Sequence, residues 1–126
     1  MPGRYEIELE PEVRHWLEAL PTRHYLRVMQ RADELADSPE TFGEPRSRHL
    51  AGPVRELRMH LEPDDSRVTY WLAPDRRVIL LTVFRKTKMR EETQVARATA
   101  AQAECARAHG EGHQIYDRPI KNLEEQ

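Results

Sequence analysis

The sequence is poor in the residues that mark several large protein classes. It holds a single cysteine, Cys105, which excludes an internal disulfide framework and a thiolate zinc cluster and suits a reducing compartment. Cys105 lies among alanines in a run with helical spacing, where a small buried residue is the ordinary reading and a nucleophile the exceptional one. No stretch comes near the roughly 18 consecutive apolar residues of a membrane span, and the opening MPGRYEIE has no apolar signal region. A cytoplasmic protein that makes no membrane contact is expected. The glycine-rich phosphate loop, the dinucleotide fingerprint and the nucleophile elbow of serine hydrolases are all missing, so readings as a nucleotide-triphosphatase, a dinucleotide enzyme or a serine hydrolase lose their support. His109 and His113 are four residues apart, but Gly110 and Gly112 break the helix that a metal pair at this spacing would need. No metal site and no cofactor are expected.

What is present fits one domain of ordinary size. The 126 residues are 38% apolar and 33% charged, with a mean hydropathy of -0.84, and the apolar residues fall in short periodic blocks instead of being scattered as in a disordered chain. The net charge of -2 is unevenly spread: residues 46–97 carry 12 Lys/Arg against 7 Asp/Glu, a local +5. That asymmetry points to an anionic partner for the middle of the chain, and is too small for sequence-independent duplex binding by the whole protein.

Periodicity places the elements. Tyr5, Ile7 and Leu9 alternate with Glu6, Glu8 and Glu10, the pattern of a half-buried edge strand with its acids in water. Pro11 suits the first turn of a helix in which Val13, Trp16, Leu17 and Leu20 recur at three- and four-residue spacing. Pro21 interrupts, Thr22 is placed to cap, and Tyr25, Leu26, Val28, Met29, Ala32, Leu35 and Ala36 mark a second amphipathic helix ending near Asp37. SPETFGEPRS is a loop by composition. From Gly52 the period becomes two: Leu57, Met59 and Leu61 share one face and Glu56, Arg58 and His60 the other, and after a turn at 63–66, Val68, Tyr70 and Leu72 alternate with Arg67, Thr69 and Trp71. A turn at 73–76 leads to a third strand of this meander, 77–86, whose continuous apolar run calls for burial on both faces. Residues 90–109 form an alanine-rich helix with a weak apolar stripe, and HQIYD in the tail is a short strand or unstructured.

The polar face of the meander therefore carries Glu56, Arg58, His60, Arg67, Thr69 and Trp71, and FRKTK at 84–88 adds Arg85, Lys86 and Lys88. Arg for bidentate contact and Lys as a mobile charge suit phosphate oxygens, and an aromatic ring suits base stacking on single-stranded RNA. A solvated sheet face of mixed charge is the commonplace alternative, and composition does not choose between them.

HLAGPVRELRM at 49–59, RVTYWL at 67–72, VILLTVFRKTK at 78–88 and the helix with Glu92 and Ala96 resemble the RelE/ParE superfamily of bacterial type II toxins, in its HigB-like, phage-derived Gp49-like branch. The resemblance covers about 110 residues and implies an α+β fold, a twisted antiparallel sheet in the order β-α-α-β-β-β-α with two N-terminal helices on one face. It implies a toxin domain over 1–110 with a tail at 111–126. It further implies a messenger-RNA endonuclease acting on the ribosome by attack of a 2′-hydroxyl on the adjacent phosphate, held by a cognate helix-turn-helix antitoxin. By motif, Arg67 matches the phosphate-stabilising arginine, Arg58 of ELR a second contact, and Lys86 the first lysine of an FxKK run. His60 is the acid/base candidate on the sheet, and His113, Tyr116 and Asp117 are candidates in the tail. Arg85, Lys88, Arg90 and Trp71 are the expected RNA contacts. Thr87 stands where the second lysine is usual, which leaves the general base open and keeps two alternatives: a ParE-like non-enzymatic inhibitor of DNA gyrase, and an inactive scaffold that acts only in an antitoxin complex.

Overall fold

The computed structural model describes residues 4–87 and 91–108. Strand β1 (Glu6–Leu9) is followed by helices α1 (Pro11–Ala19) and α2 (Thr22–Asp37), strands β2 (Ser47–Ala51), β3 (Val54–Leu61), β4 (Asp64–Ala73) and β5 (Arg77–Arg85), and helix α3 (Glu92–Arg107). The five strands form one sheet in the order β1-β5-β4-β3-β2. β2 to β5 pair antiparallel, while β1 lies parallel to β5 with Glu6 opposite Arg77 and Leu9 opposite Leu80.

Local chemistry explains most boundaries. Pro11 opens α1 with its fixed φ and no N–H to satisfy. Pro21 closes it by forcing Leu20 to an extended conformation, φ -75° and ψ 147°. Thr22 is the first helical residue of α2 and not its cap: Pro21 takes the cap position, and no side chain bonds there. Tyr25, Val28, Ala32, Leu35 and Ala36 then form the buried stripe. The β4–β5 connection has Asp75 at φ 68° and Arg76 at φ 56°, left-handed positions that Asp tolerates and Arg rarely takes.

Helices α1 and α2 cover one sheet face, where Leu9, Val13, Leu17, Tyr25, Val28 and Leu35 meet Leu57, Met59, Val68, Tyr70, Val78 and Leu80. α3 lies on the other face, where Ala98 and Cys105 pack with Val54, Ala73, Ile79 and Leu81. β5 is thus buried on both sides, as its unbroken apolar run requires. The two N-terminal helices on one face and the edge position of β1 agree with the sequence reading. Strand β2 was not legible: its only buried residue is Ser47, whose Oγ lies 2.5 Å from the Tyr70 hydroxyl, and SRHLA has no apolar alternation to read. The turn expected at 63–66 is shorter, since β4 already begins at Asp64. Glu8, expected in water, is buried and its Oε1 lies 3.3 Å from Nη1 of Arg77, itself buried.

A bulge between β4 and β5 decides which cations share a face. Thr69 pairs with Thr82 but Tyr70 with Leu80, so Leu81 is an extra residue on β5. Every side chain beyond it exchanges faces. Arg85 falls opposite Ser66 on the side of α1 and α2, and Lys86, whose N–H donates to the Asp65 carbonyl at 2.8 Å, falls on the opposite side.

Candidate functional site

α3 covers only part of its sheet face. Beside it three rows of mainly polar residues run across the strands, each row set by register. The first joins Arg48, Glu56, Thr69 and Thr82; the second Arg58, Arg67 and Phe84; the third His60, Asp65 and Lys86.

Glu56 is the hub. Its side chain is 1% exposed, and its Oε2 lies 3.3 Å from Nε of Arg58, 3.5 Å from Nε of Arg67 and 3.8 Å from Nε of Arg48. Burial pushes the carboxyl above the usual Glu range, against the pull of Arg67, Arg48 and Arg58, and the nearby Glu91 adds to the rise. The Thr69 and Thr82 hydroxyls lie 2.6 Å apart at the base of the groove. Arg67 is buried along its stem, and its Nη1 donates to the Ser66 carbonyl at 3.3 Å.

At the rim, the His60 Nδ1 lies 2.8 Å from Oδ1 of Asp65 with both side chains about half exposed. That hydrogen bond draws the Asp65 carboxyl below the usual Asp range. It also occupies one ring nitrogen of His60 and leaves Nε2 as the one to exchange protons with a ligand. Lys86 Nζ lies 2.5 Å from Oε2 of Glu91, at the start of α3. The arrangement presents guanidinium groups pinned by a shared carboxylate, a mobile ammonium and an imidazole, a set suited to binding a phosphodiester and moving protons about it.

Arg58, Arg67, His60 and Lys86 thus share one surface. Arg85 does not: it is 68% exposed on the opposite face, with Nε 3.6 Å from Oδ2 of Asp64. Trp71 packs with Leu50 and Ala101 in the cluster under α3 instead of lying on the open groove. The register and the cover of α3 are the physical reasons that these two stand apart from the other expected contacts. Lys88, Arg90, His113, Tyr116 and Asp117 lie outside the described residues. Arg48, Asp65 and Glu91 were not singled out from sequence, since their placement depends on strand pairing and on the chain returning to α3. Among the described residues no group of three or more His, Cys, Asp or Glu is placed to hold a metal ion.

A family model described as phage derived protein Gp49-like (DUF891) matches residues 15–105. The chain belongs to this family. Two solved structures share the fold of this Gp49-like chain. One is an E. coli toxin RelE in the free state with two arginines replaced by alanine, at 16% identity and a TM-score of 0.55, covering 77% of this chain and 96% of that one. The other is the toxin–antitoxin complex RelBE2 from Mycobacterium tuberculosis, at 19% identity and a TM-score of 0.51, covering 66% of this chain and 92% of that one. No curated protein matches the sequence. The family match and the shared fold agree with the resemblance to the RelE/ParE superfamily and its Gp49-like branch.

Proposed function

We propose that the chain is the toxin of a type II toxin–antitoxin pair, that it cleaves messenger RNA on the ribosome, and that a cognate helix-turn-helix antitoxin silences it. The observation that carries this reading is the convergence of Arg48, Arg58 and Arg67 on one buried carboxylate, with Lys86 and His60 on the same face. Like charges held this close are costly without an anion. A phosphodiester entering the groove would compete for the guanidinium groups that now face Glu56 as ion pairs. In the reaction the 2′-oxygen bonds to phosphorus as the bond from phosphorus to the 5′-oxygen breaks. Arg67 and Arg58 stabilise the charge that develops on the phosphorane, Lys86 neutralises a neighbouring phosphate, and His60 delivers a proton to the departing oxygen.

The test is expression in a translating extract with transcript mapping. Wild-type protein is expected to cut translated messages, and Arg67→Ala and Lys86→Ala variants that keep the wild-type circular dichroism spectrum are expected to lose at least about 10²-fold in rate, the scale of a lost charge-stabilising donor. Growth arrest with intact transcripts would refute the reading, and DNA damage beside unaltered RNA would favour gyrase inhibition. One observation favours a second reading, an inactive scaffold that serves only in the antitoxin complex: Arg58 and Arg67 already face Glu56, Lys86 faces Glu91, and His60 faces Asp65. Harmless expression without the antitoxin would support that scaffold.

A further inference from the structure

Glu56 is more than a counter-charge in this arrangement. Its Oε2 faces three guanidinium nitrogens, while its Oε1, equally buried, accepts no hydrogen bond. A carboxylate kept only to hold arginines would be expected to use both oxygens, because a buried acceptor left open is costly. The groups that face it come from every neighbouring element: Arg48 on β2, Arg58 on its own strand, Arg67 and Thr69 on β4, Thr82 on β5, and Glu91 before α3. Two of the three arginines are open enough to solvent to meet another anion, the Arg48 side chain being 46% exposed and that of Arg58 26%.

We propose that Glu56 is the general base of the groove, taking the 2′-hydroxyl proton of an RNA whose phosphate Arg48, Arg58 and Arg67 hold. This rests on the nuclease reading above and supplies the base that the missing second lysine leaves open. The phosphate prepares the acceptor in two ways. It draws guanidinium groups away from Oε2, opening the carboxylate to the groove, and it places a negative charge close to it. Burial already holds this carboxyl above the usual range while the arginines still face it, so removing part of their pull raises its basicity further. In the step itself the proton of the 2′-hydroxyl passes to Oε2 of Glu56, the oxygen that the departing guanidinium groups uncover, as the bond between the 2′-oxygen and phosphorus forms. The bond from phosphorus to the 5′-oxygen breaks, its electron pair stays on that oxygen, and protonated His60 supplies the proton. The products are a 2′,3′-cyclic phosphate and a 5′-hydroxyl, and Glu56 then returns its proton to water while His60 regains one.

The experiment compares wild type, Glu56→Gln and Glu56→Asp by cleavage rate against pH, and by binding of an RNA carrying a 2′-deoxy residue at the cleavage position. Glu56→Gln is expected to bind this RNA at least as tightly as wild type and to cleave the ribo form about 10²- to 10⁴-fold more slowly, the range of a lost general base. The acid limb of the wild-type rate profile should vanish in Glu56→Gln and persist, shifted along the pH axis and at a lower plateau, in Glu56→Asp. Calorimetry of the deoxy RNA in buffers of different ionisation enthalpy should show proton uptake by wild type and none by Glu56→Gln. Cleavage by Glu56→Gln within about threefold of wild type, or parallel losses of binding and cleavage with the acid limb unchanged, would overturn the assignment while leaving the nuclease reading intact. Should Glu56→Gln not fold, the shifted limb of Glu56→Asp decides, and an unshifted one overturns the assignment. A wild-type protein that cuts nothing fails at the earlier step and takes the base assignment with it.

Discussion

Glu56 and Cys105 are both buried ionisable side chains, and they are buried to different ends. Glu56 offsets the charge of the arginines around it, so truncating it would leave the buried Arg67 without its counter-ion. Glu56→Ala is expected to lower the free energy of unfolding by about 3 kcal/mol, as for a buried pair broken from one side. Glu56→Gln, which keeps the shape and a polar contact, should lose less, and urea titration measures both. Cys105 has an apolar role, packing with Ala98 under α3. Burial pushes its thiol up to about 11. At pH 8 it is therefore expected to resist a disulfide reagent in the native protein and to react at once in urea. Fast labelling of native protein would contradict the packing described here. The placement of Arg58 and Arg67 on one sheet face was legible from period-two alternation alone, because successive strand residues point to opposite faces. The link of Arg48 to the same carboxylate was not, because it depends on a strand with no apolar pattern.

At the scale of elements, the bulge at Leu81 and the seat of α3 decide the shape of the groove. Without the extra residue Arg85, and not Lys86, would fall on the groove side. Arg85→Ala is accordingly expected to leave RNA cleavage within about twofold of wild type, where Lys86→Ala loses at least about 10²-fold; equal losses would contradict the register. α3 has a weak apolar stripe, with only Ala98 and Cys105 fully buried, and a polar tie adds to it. Arg97 Nη1 and Nη2 donate to Glu12 Oε1 and Oε2 at 2.7 and 3.0 Å, and the Val83 N–H donates to the same Glu12 Oε2 at 2.9 Å. Burial alone would push the Glu12 carboxyl up, but Arg97 and the Val83 N–H more than reverse it, so the group lies below its usual range. A depressed folded value means that the unfolded chain takes up the proton first. The stabilisation is thus fully present above the unfolded Glu value of about 4.3 and is lost as pH falls through the folded value. With both side chains more than a third exposed, solvent holds the contribution to about 1 kcal/mol. Glu12→Gln should be less stable than wild type by that amount at pH 7 and converge with it as pH falls through the folded value, measured by urea unfolding across pH. A gap that does not change with pH would show the tie to be a neutral packing contact.

For the molecule as a whole, charge is sorted by the fold. The cationic middle of the sequence supplies both sheet faces, yet Arg48, Arg58, Arg67 and Lys86 are gathered on one. If about three RNA phosphates are neutralised there, the logarithm of the binding constant should fall with the logarithm of salt concentration at a slope near -2, and Arg67→Ala should reduce that slope by about 0.7. A slope near zero in a binding titration on a 2′-deoxy RNA would speak against a phosphate site on this face.

The sequence by itself determined the two N-terminal helices, the alternating faces of β3 and β4, and the buried run of β5. These follow from local periodicity and from proline, which act over a few residues and need no knowledge of the rest of the chain. Only the tertiary structure decided that β1 runs parallel to β5, that SRHLA adds a fifth strand, that Trp71 is covered by α3, and that three arginines meet at Glu56. Each of these depends on which strand lies beside which and in what register, and a one-residue shift between neighbours exchanges every side chain beyond it from one face to the other.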